Sequence, residues 1–310
     1  MPSILTVARS FATATTVIAF QVWPTLTVLG SPPSSASTAA LSPMTPISAT
    51  SAAAAALKPA VQARSRKSAI KLGMKPVAIF RTARSEGPAY FATYLERRSI
   101  AWQLVALDQG EAVPRDARRF SGLCFMGGPM SVNDELPWII PALELIREAV
   151  RKDVPVLGHC LGGQLMSRAF GGVVRANPVK EIGWGQVRVA DNAVAREWLG
   201  ELPGFESFHW HGETFSIPPG ATRILENENC ANQAFALGKH LGLQCHVEMT
   251  PDLVRAWLSG GAQEIEASKS SPGVQRPGEI ERDVAARVTA LNEVANRLYD
   301  RWTENLSRGS

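Results

Sequence analysis

From residue 74 onward the chain alternates between short apolar runs and longer stretches with apolar positions three and four residues apart. Val77–Phe80, Trp102–Leu107, Gly122–Met126 and Val154–Gly158 read as strands, the last two as buried ones. Between them, 88–98 places Tyr90, Phe91, Tyr94 and Leu95 at helical spacing. The stretch 137–152 carries Ile139, Ile140, Leu143, Ile146 and Val150 along one face, and 161–170 reads as a helix ended by Gly171-Gly172. Strand and helix in alternation predict a mostly parallel sheet covered on both faces, a doubly wound, flavodoxin-like α/β fold.

The second half changes rhythm. Gly185–Ala190, Ser207–Trp210, Thr222–Leu225, Gln233–Leu237 and Gly242–His246 are short strand candidates joined by Gly, Pro and Asn turns, some of them expected as antiparallel additions to the sheet. Thr250 and Pro251 are placed to open a helix over 250–258 as N-cap and first helical residue. The segment 262–279 reads as a polar connector, and 283–302 as a closing amphipathic helix with Val284, Val288, Leu291, Val294, Leu298 and Trp302 inward. One α/β domain over 74–310 is expected.

Residues 1–73 are different in kind. They are rich in Ser, Ala, Thr and Pro and lack the large apolar residues that offset chain entropy, so disorder is expected. The uncharged stretch 11–29 is interrupted by five Thr, Gln21 and Pro24, too polar for a membrane span. A cleaved presequence, a disordered tail and an upstream start ahead of a true Met74 all fit this composition. This segment also accounts for the formal net charge of +4: residues 1–73 carry six basic side chains and no acid, leaving 26 basic and 28 acidic groups for the rest. The folded part therefore has no basic excess, and neither nucleic acid nor a membrane is expected as a partner.

The candidate chemistry centres on one stretch. Pro155-Val156-Leu157-Gly158 runs as a buried strand into His159-Cys160-Leu161-Gly162-Gly163-Gln164, which opens a helix. Small residues at 158 and 162 permit the sharp turn of a nucleophile elbow, with Cys160 presented above the sheet edge. At a helix N-terminus, backbone N–H groups and the dipole favour the thiolate, and the Leu161 N–H is placed to meet the oxygen of a bound carbonyl. The competing view is a buried structural cysteine beside a glycine turn. Cysteine nucleophiles need a base and a group that orients it. His246 and Glu248 follow an apolar strand and share a face two residues apart, at the carboxyl end where α/β sites assemble. His211-Gly212-Glu213 repeats the spacing in a turn-like stretch and is expected in a substrate-facing loop instead. Gly127-Gly128-Pro129 closes strand 122–126 and suits an oxyanion-binding backbone N–H, or is an ordinary turn.

Together these motifs resemble the class I, triad-type glutamine amidotransferase family over about residues 75–260. GHCLGGQ is similar to the family's G-x-C-x-G-x-Q signature, HVE to its His-x-Glu pair, and FMGGPMSV to its oxyanion loop. HGETFSIPPGA resembles the His-Gly-Asp stretch of the GMP synthase amidotransferase domain, with Glu213 in place of the usual Asp. The resemblance implies Cys160 as nucleophile, His246 as proton carrier, Glu248 as its orienting group, Gly128 and Leu161 as oxyanion donors, and Gln164 and His211 at the substrate. It implies hydrolysis of the glutamine side-chain amide through a γ-glutamyl thioester, with no cofactor. No metal is expected either, because the histidines and cysteines show no ligand spacing.

The family usually passes its ammonia to a synthetase. After residue 260 the sequence offers a connector and a helix without a phosphate loop, so an acceptor, if there is one, is expected on a separate protein. A stand-alone γ-glutamyl peptidase would use the same residues, differing on the leaving-group side near His211 and Trp184; a catalytically inactive regulatory relative is the further alternative. Cys124 and Cys245 are expected in the core, Cys230 in an exposed turn, and Trp138, Trp198, Trp257 and Trp302 in packing. Free thiols suit a reducing, cytoplasmic setting.

Overall fold

The computed structural model describes residues 74–306; the readings of 1–73 lie outside them. Among the described residues ten strands form one sheet, in the order β10-β5-β7-β8-β9-β4-β3-β1-β2 with β6 paired to β5. The half built first in sequence is parallel. β1 (Val77–Arg81) lies between β2 (Trp102–Ala106) and β3 (Gly122–Phe125), and β4 (Val156–His159) pairs with β3 and β9 (His240–Leu243). The other half is antiparallel through β8 (Ala234–Leu237) on β9, β7 (Thr222–Glu226) on β8, and β5 (Val174–Val189) on β7, with β10 (Gly273–Val274) added parallel to β5 at the edge.

Alternation along β1 explains why helices cover both faces. Val77 and Ile79 enter one core, and Ala78 and Phe80 the other. On the second face lie α2 (Ile139–Arg151) and α3 (Leu161–Ala169); on the first lie α1 (Ala89–Arg97), α4 (Ala193–Leu199), α5 (Pro251–Gly260) and the long α8 (Val284–Thr303). Helix α8 buries Val288, Leu291, Leu298 and Trp302 at the predicted spacing, each such side chain contributing about 1.5–3 kcal/mol. Thr250 caps α5 by accepting from the Leu253 N–H at 3.1 Å.

Several elements differ from expectation. The stretches around 185–190 and 207–210 belong to two long antiparallel partners, β5 and β6 (Gly204–Phe215), so HWHGETF is strand rather than turn. Its glycine does not end the strand because the ladder with β5 resumes at Ala176↔Glu213, across a bulge. Helix α4, not expected from the sequence, has only seven residues, too few for periodicity to show; Asn192 caps it by accepting from the Ala195 N–H at 2.9 Å. The expected connector 262–279 holds α6 (Ala262–Ser268), β10 (Gly273–Val274) and α7 (Pro277–Glu281), each too short for periodicity to reveal. No helix among the described residues is long and apolar enough to cross a membrane.

Candidate active site at the Cys160 elbow

Strand β4 delivers Cys160 at the head of α3 in a conformation foreign to most residues, φ 48° and ψ −106°. Two glycines make the turn possible. A Cβ on Gly158 would lie 2.4 Å from the Gly162 carbonyl carbon, and one on Gly162 would lie 2.0 Å from the Phe125 oxygen of β3. The helix thus begins in backbone contact with the sheet, with Cys160 only 6% exposed.

Beyond β9 the chain continues extended and brings every second residue to the same place. His246 is pinned by its N–H to the Phe208 carbonyl of β6 at 2.8 Å, and its Nδ1 lies 2.6 Å from Glu248 Oε1. Burial opposes charge on both groups. For His246 the neighbouring carboxylate and the Cys160 sulfur outweigh burial and raise its pKa well above the usual histidine value. For Glu248, His159 and His246 outweigh burial and hold the carboxyl down to about 2. The His246 Nε2 has no hydrogen-bond partner. The structure therefore brings Cys160, His246 and Glu248 together.

The glycine loop after β3 lies alongside. A methyl group on Gly127 would sit 3.6 Å from Cys160 Cβ and 3.2 Å from His246 Cε1. One on Gly128 would lie 3.0 Å from the Leu161 side chain, so this loop and the start of α3 adjoin. Thr82 Oγ1 donates to the Gly127 carbonyl, and Ser131 Oγ to Glu213 Oε1 at 3.0 Å, tying the loop to β1 and β6.

Other expected site residues meet a different arrangement. Gln164 is buried and donates its amide to Gln244 Oε1 at 3.2 Å, and Gln244 in turn donates to Cys160 Sγ at 3.5 Å. His211 is not in a substrate-facing loop: it stands on β6, buried, with Nε2 3.0 Å from Glu181 Oε2. Trp184 is no pocket wall either, since its indole N–H donates to the Ile280 carbonyl at 2.9 Å and Arg287 covers its ring. Cys230, expected to be exposed, is buried because Asn227 accepts its N–H at 2.6 Å and turns the thiol onto Thr214. Cys124 and Cys245 are core residues as expected.

Sequence reasoning missed five further contributors. His159 Nε2 lies 3.1 Å from the Tyr299 hydroxyl and 3.8 Å from Glu248 Oε2, extending the buried polar row into α8. The Trp257 ring meets the His246 ring edge-on at 4.9 Å, and its N–H holds the Ser85 carbonyl of the β1–α1 loop. That loop carries Glu86, whose carboxyl would lie 2.8 Å from a methyl group on Gly127; burial, partly offset by His246, pushes its pKa up to about 7. The Trp210 carbonyl faces Cys160 Sγ at 4.0 Å. Only Gln244 carried a signal, its period-two spacing from His246 and Glu248. The expectation of no metal spacing also rested on sequence neighbours alone: His209 and His211, one residue apart on β6, meet Glu181 of β5, with ligand-type atoms within 4.8 Å of one another.

Fold and site together describe an α/β protein with a cysteine at a strand–helix elbow beside a buried histidine–carboxylate pair. The chain belongs to the class-I glutamine amidotransferase family, whose model matches residues 90–256. It is 29% identical over 212 residues to the glutamine amidotransferase-like protein YfeJ of Salmonella typhimurium, covering 66% of this chain and 87% of that one. It is 35% identical to the GMP synthase of Lactobacillus gasseri over 134 residues, 41% of this chain but 24% of that enzyme. Among solved structures, a glutamine amidotransferase from Methylobacillus flagellatus superposes with a TM-score of 0.75 at 46% identity, covering 76% of this chain and 97% of its own. One from Thermotoga maritima gives 0.67 at 26% identity, over 74% and 98%.

Proposed function

We propose that the protein hydrolyses the side-chain amide of glutamine at Cys160. The observation that carries this reading is the 2.6 Å His246–Glu248 contact beside the strained cysteine: a buried imidazole held by a carboxylate, next to a thiol at a helix N-terminus. The Cys160 thiol gives its proton to His246 as its sulfur attacks the amide carbon, and the Leu161 and Gly128 N–H groups take the developing oxyanion. Losing one such donor costs about 10²–10³ in rate at comparable sites. His246 gives its proton to the departing nitrogen, which leaves as ammonia, and a γ-glutamyl thioester remains on Cys160. Water, giving a proton back to His246, attacks the thioester and releases glutamate. Glu248 keeps the ring oriented and its charge balanced throughout. Gln244, which donates to the sulfur, and Gln164 behind it would meet the amino-acid end of the substrate. Ammonia either leaves or passes to a synthetase on a separate protein, as GMP synthase relatives suggest.

The test is mass analysis of enzyme quenched in acid during turnover of glutamine. A γ-glutamyl adduct on the peptide containing Cys160 is expected, absent in Cys160→Ala. An adduct on another residue, or turnover with none, would overturn the reading.

A further inference from the structure

We propose that Glu181, His209 and His211 form a binding site for a divalent metal ion of the zinc class, one that clamps β5 to β6 behind the nucleophile. All three side chains are buried, at 2%, 1% and 5% exposure, and none takes part in the proposed chemistry at Cys160. Strand pairing assembles them: Glu181 faces His211, Gly183 faces His209, and His209 and His211 share a face of β6.

Each imidazole has one nitrogen committed outward, leaving the other to face Glu181. His211 Nδ1 lies 3.0 Å from the Glu213 carbonyl, and His209 Nε2 lies 3.4 Å from the Gly185 carbonyl. Those carbonyls only accept, so each ring puts its proton there and, when neutral, a lone pair on the inner nitrogen. Of the inner nitrogens, His211 Nε2 and His209 Nδ1, the first meets only Glu181 and the second has no hydrogen-bond partner. They lie 3.0 and 4.0 Å from the same oxygen, Glu181 Oε2. Two lone pairs turned on a carboxylate in a dry interior repel, and a cation between them removes the conflict.

The surroundings fit that cation. Asn227 and Asn229 donate to Glu181 Oε1 at 2.6 and 3.4 Å, and Gln233 donates to Oε2 at 2.8 Å, so neutral amides orient the carboxylate from outside. Among the described residues no Lys or Arg pairs with Glu181. A protonated His211 would balance the carboxylate but leave His209 Nδ1 buried and unpaired. Two imidazoles and one carboxylate are the donor set of zinc and its first-row neighbours, and their outward bonds supply the orienting contacts such ligands need. Metal–ligand distances near 2.1 Å in a tetrahedron separate ligand atoms by about 3.4 Å. The present 3.0 and 4.0 Å bracket that spacing.

The placement gives the ion a role. The Phe208 carbonyl holds the His246 N–H, and the Trp210 carbonyl faces Cys160. Side chains at 209 and 211 would thus be gripped by metal while carbonyls at 208 and 210 position the reacting pair. His209 and His211 act as positioning residues only.

Full-length protein carrying Cys160→Ala, which removes a competing thiolate, is stripped with chelator and titrated calorimetrically with zinc. One equivalent is expected to bind and to raise the melting temperature, and His209→Gln and Glu181→Gln are expected to weaken binding by at least about 100-fold. Cobalt(II) in the same protein, without further substitution, is expected to give the ligand-field bands of a nitrogen–oxygen site with no thiolate charge-transfer band. No zinc uptake, equal uptake by a folded His209→Gln variant, or a thiolate band would each overturn the proposal and leave Glu181 and His211 as an ion pair. The cobalt spectrum decides the matter if the variants do not fold.

Discussion

Gly162→Ala is the substitution that most directly probes how the elbow is held. A Cβ at this position would lie 2.0 Å from the Phe125 carbonyl oxygen and 2.7 Å from its carbon. A tolerable carbon–oxygen contact is about 3.3 Å, so α3 must retreat from β3 by roughly 1.3 Å. Overpacking of this kind costs about 1–3 kcal/mol, which lowers the melting temperature of a domain this size by about 2–12 °C. The larger effect falls on the chemistry, since Cys160 rides on the first turn of the displaced helix. A shift of about 1 Å in a reacting group costs about 100-fold in rate. Glutamate release from glutamine and thermal melts of the same preparation measure both. Gly260→Ala is the control: nothing lies within 4 Å of its added methyl group. That variant should keep full activity and gain up to about 1 kcal/mol from helix propensity. A Gly162→Ala enzyme within twofold of wild type, melting at the same temperature, would refute the idea that backbone contact between α3 and β3 sets the nucleophile.

Two further outcomes follow from the buried charges. Glu248→Gln leaves His246 without its counter-charge; glutamate release should fall about 10²–10⁴-fold and stability by about 3–5 kcal/mol, and a loss under tenfold would contradict the triad. The same variant should lose the acid sensitivity that the wild type owes to Glu248. With a folded pKa near 2 against an ordinary 4.5, this carboxylate stabilises the fold above pH 4.5 and loses that contribution as pH falls toward 2. Glu86 works in the opposite sense. Its pKa is raised to about 7, so its contribution is full below pH 4.5 and lost as pH rises through 7. Melting temperatures of Glu86→Gln should therefore decline less than those of wild type between pH 4.5 and 7, and parallel curves would contradict the placement of this carboxyl.

The parallel half of the fold was legible because its elements are long and strongly patterned. Helix α8 carries its apolar residues on one face, as does α2 apart from Ile140, which is 56% exposed, and β3 and the start of β4 are apolar runs. The elbow was legible for a local reason, since strand, glycines, cysteine and helix are contiguous. His246 and Glu248 were found because two alternate residues of an extended segment share a face. What failed depends on pairing between distant segments. Nothing near Cys230 names Thr214, sixteen positions upstream, as the group its thiol meets, and nothing near His211 names Glu181, thirty positions upstream, as its partner. Glu86 and Trp257 reach the site because the β1–α1 loop and α5 meet over it, through the bond from Trp257 to the Ser85 carbonyl. The short elements between 262 and 281 fell below the length at which periodicity can speak.

The most direct measurement of the central claim is glutamate release by the full-length protein from glutamine and from a γ-glutamyl dipeptide, with Cys160→Ala beside it. The proposed mechanism predicts release from glutamine, with equimolar ammonia, that disappears in Cys160→Ala while the melting temperature is kept. Release that survives in Cys160→Ala, or Cys160-dependent release from the dipeptide with none from glutamine, would contradict it.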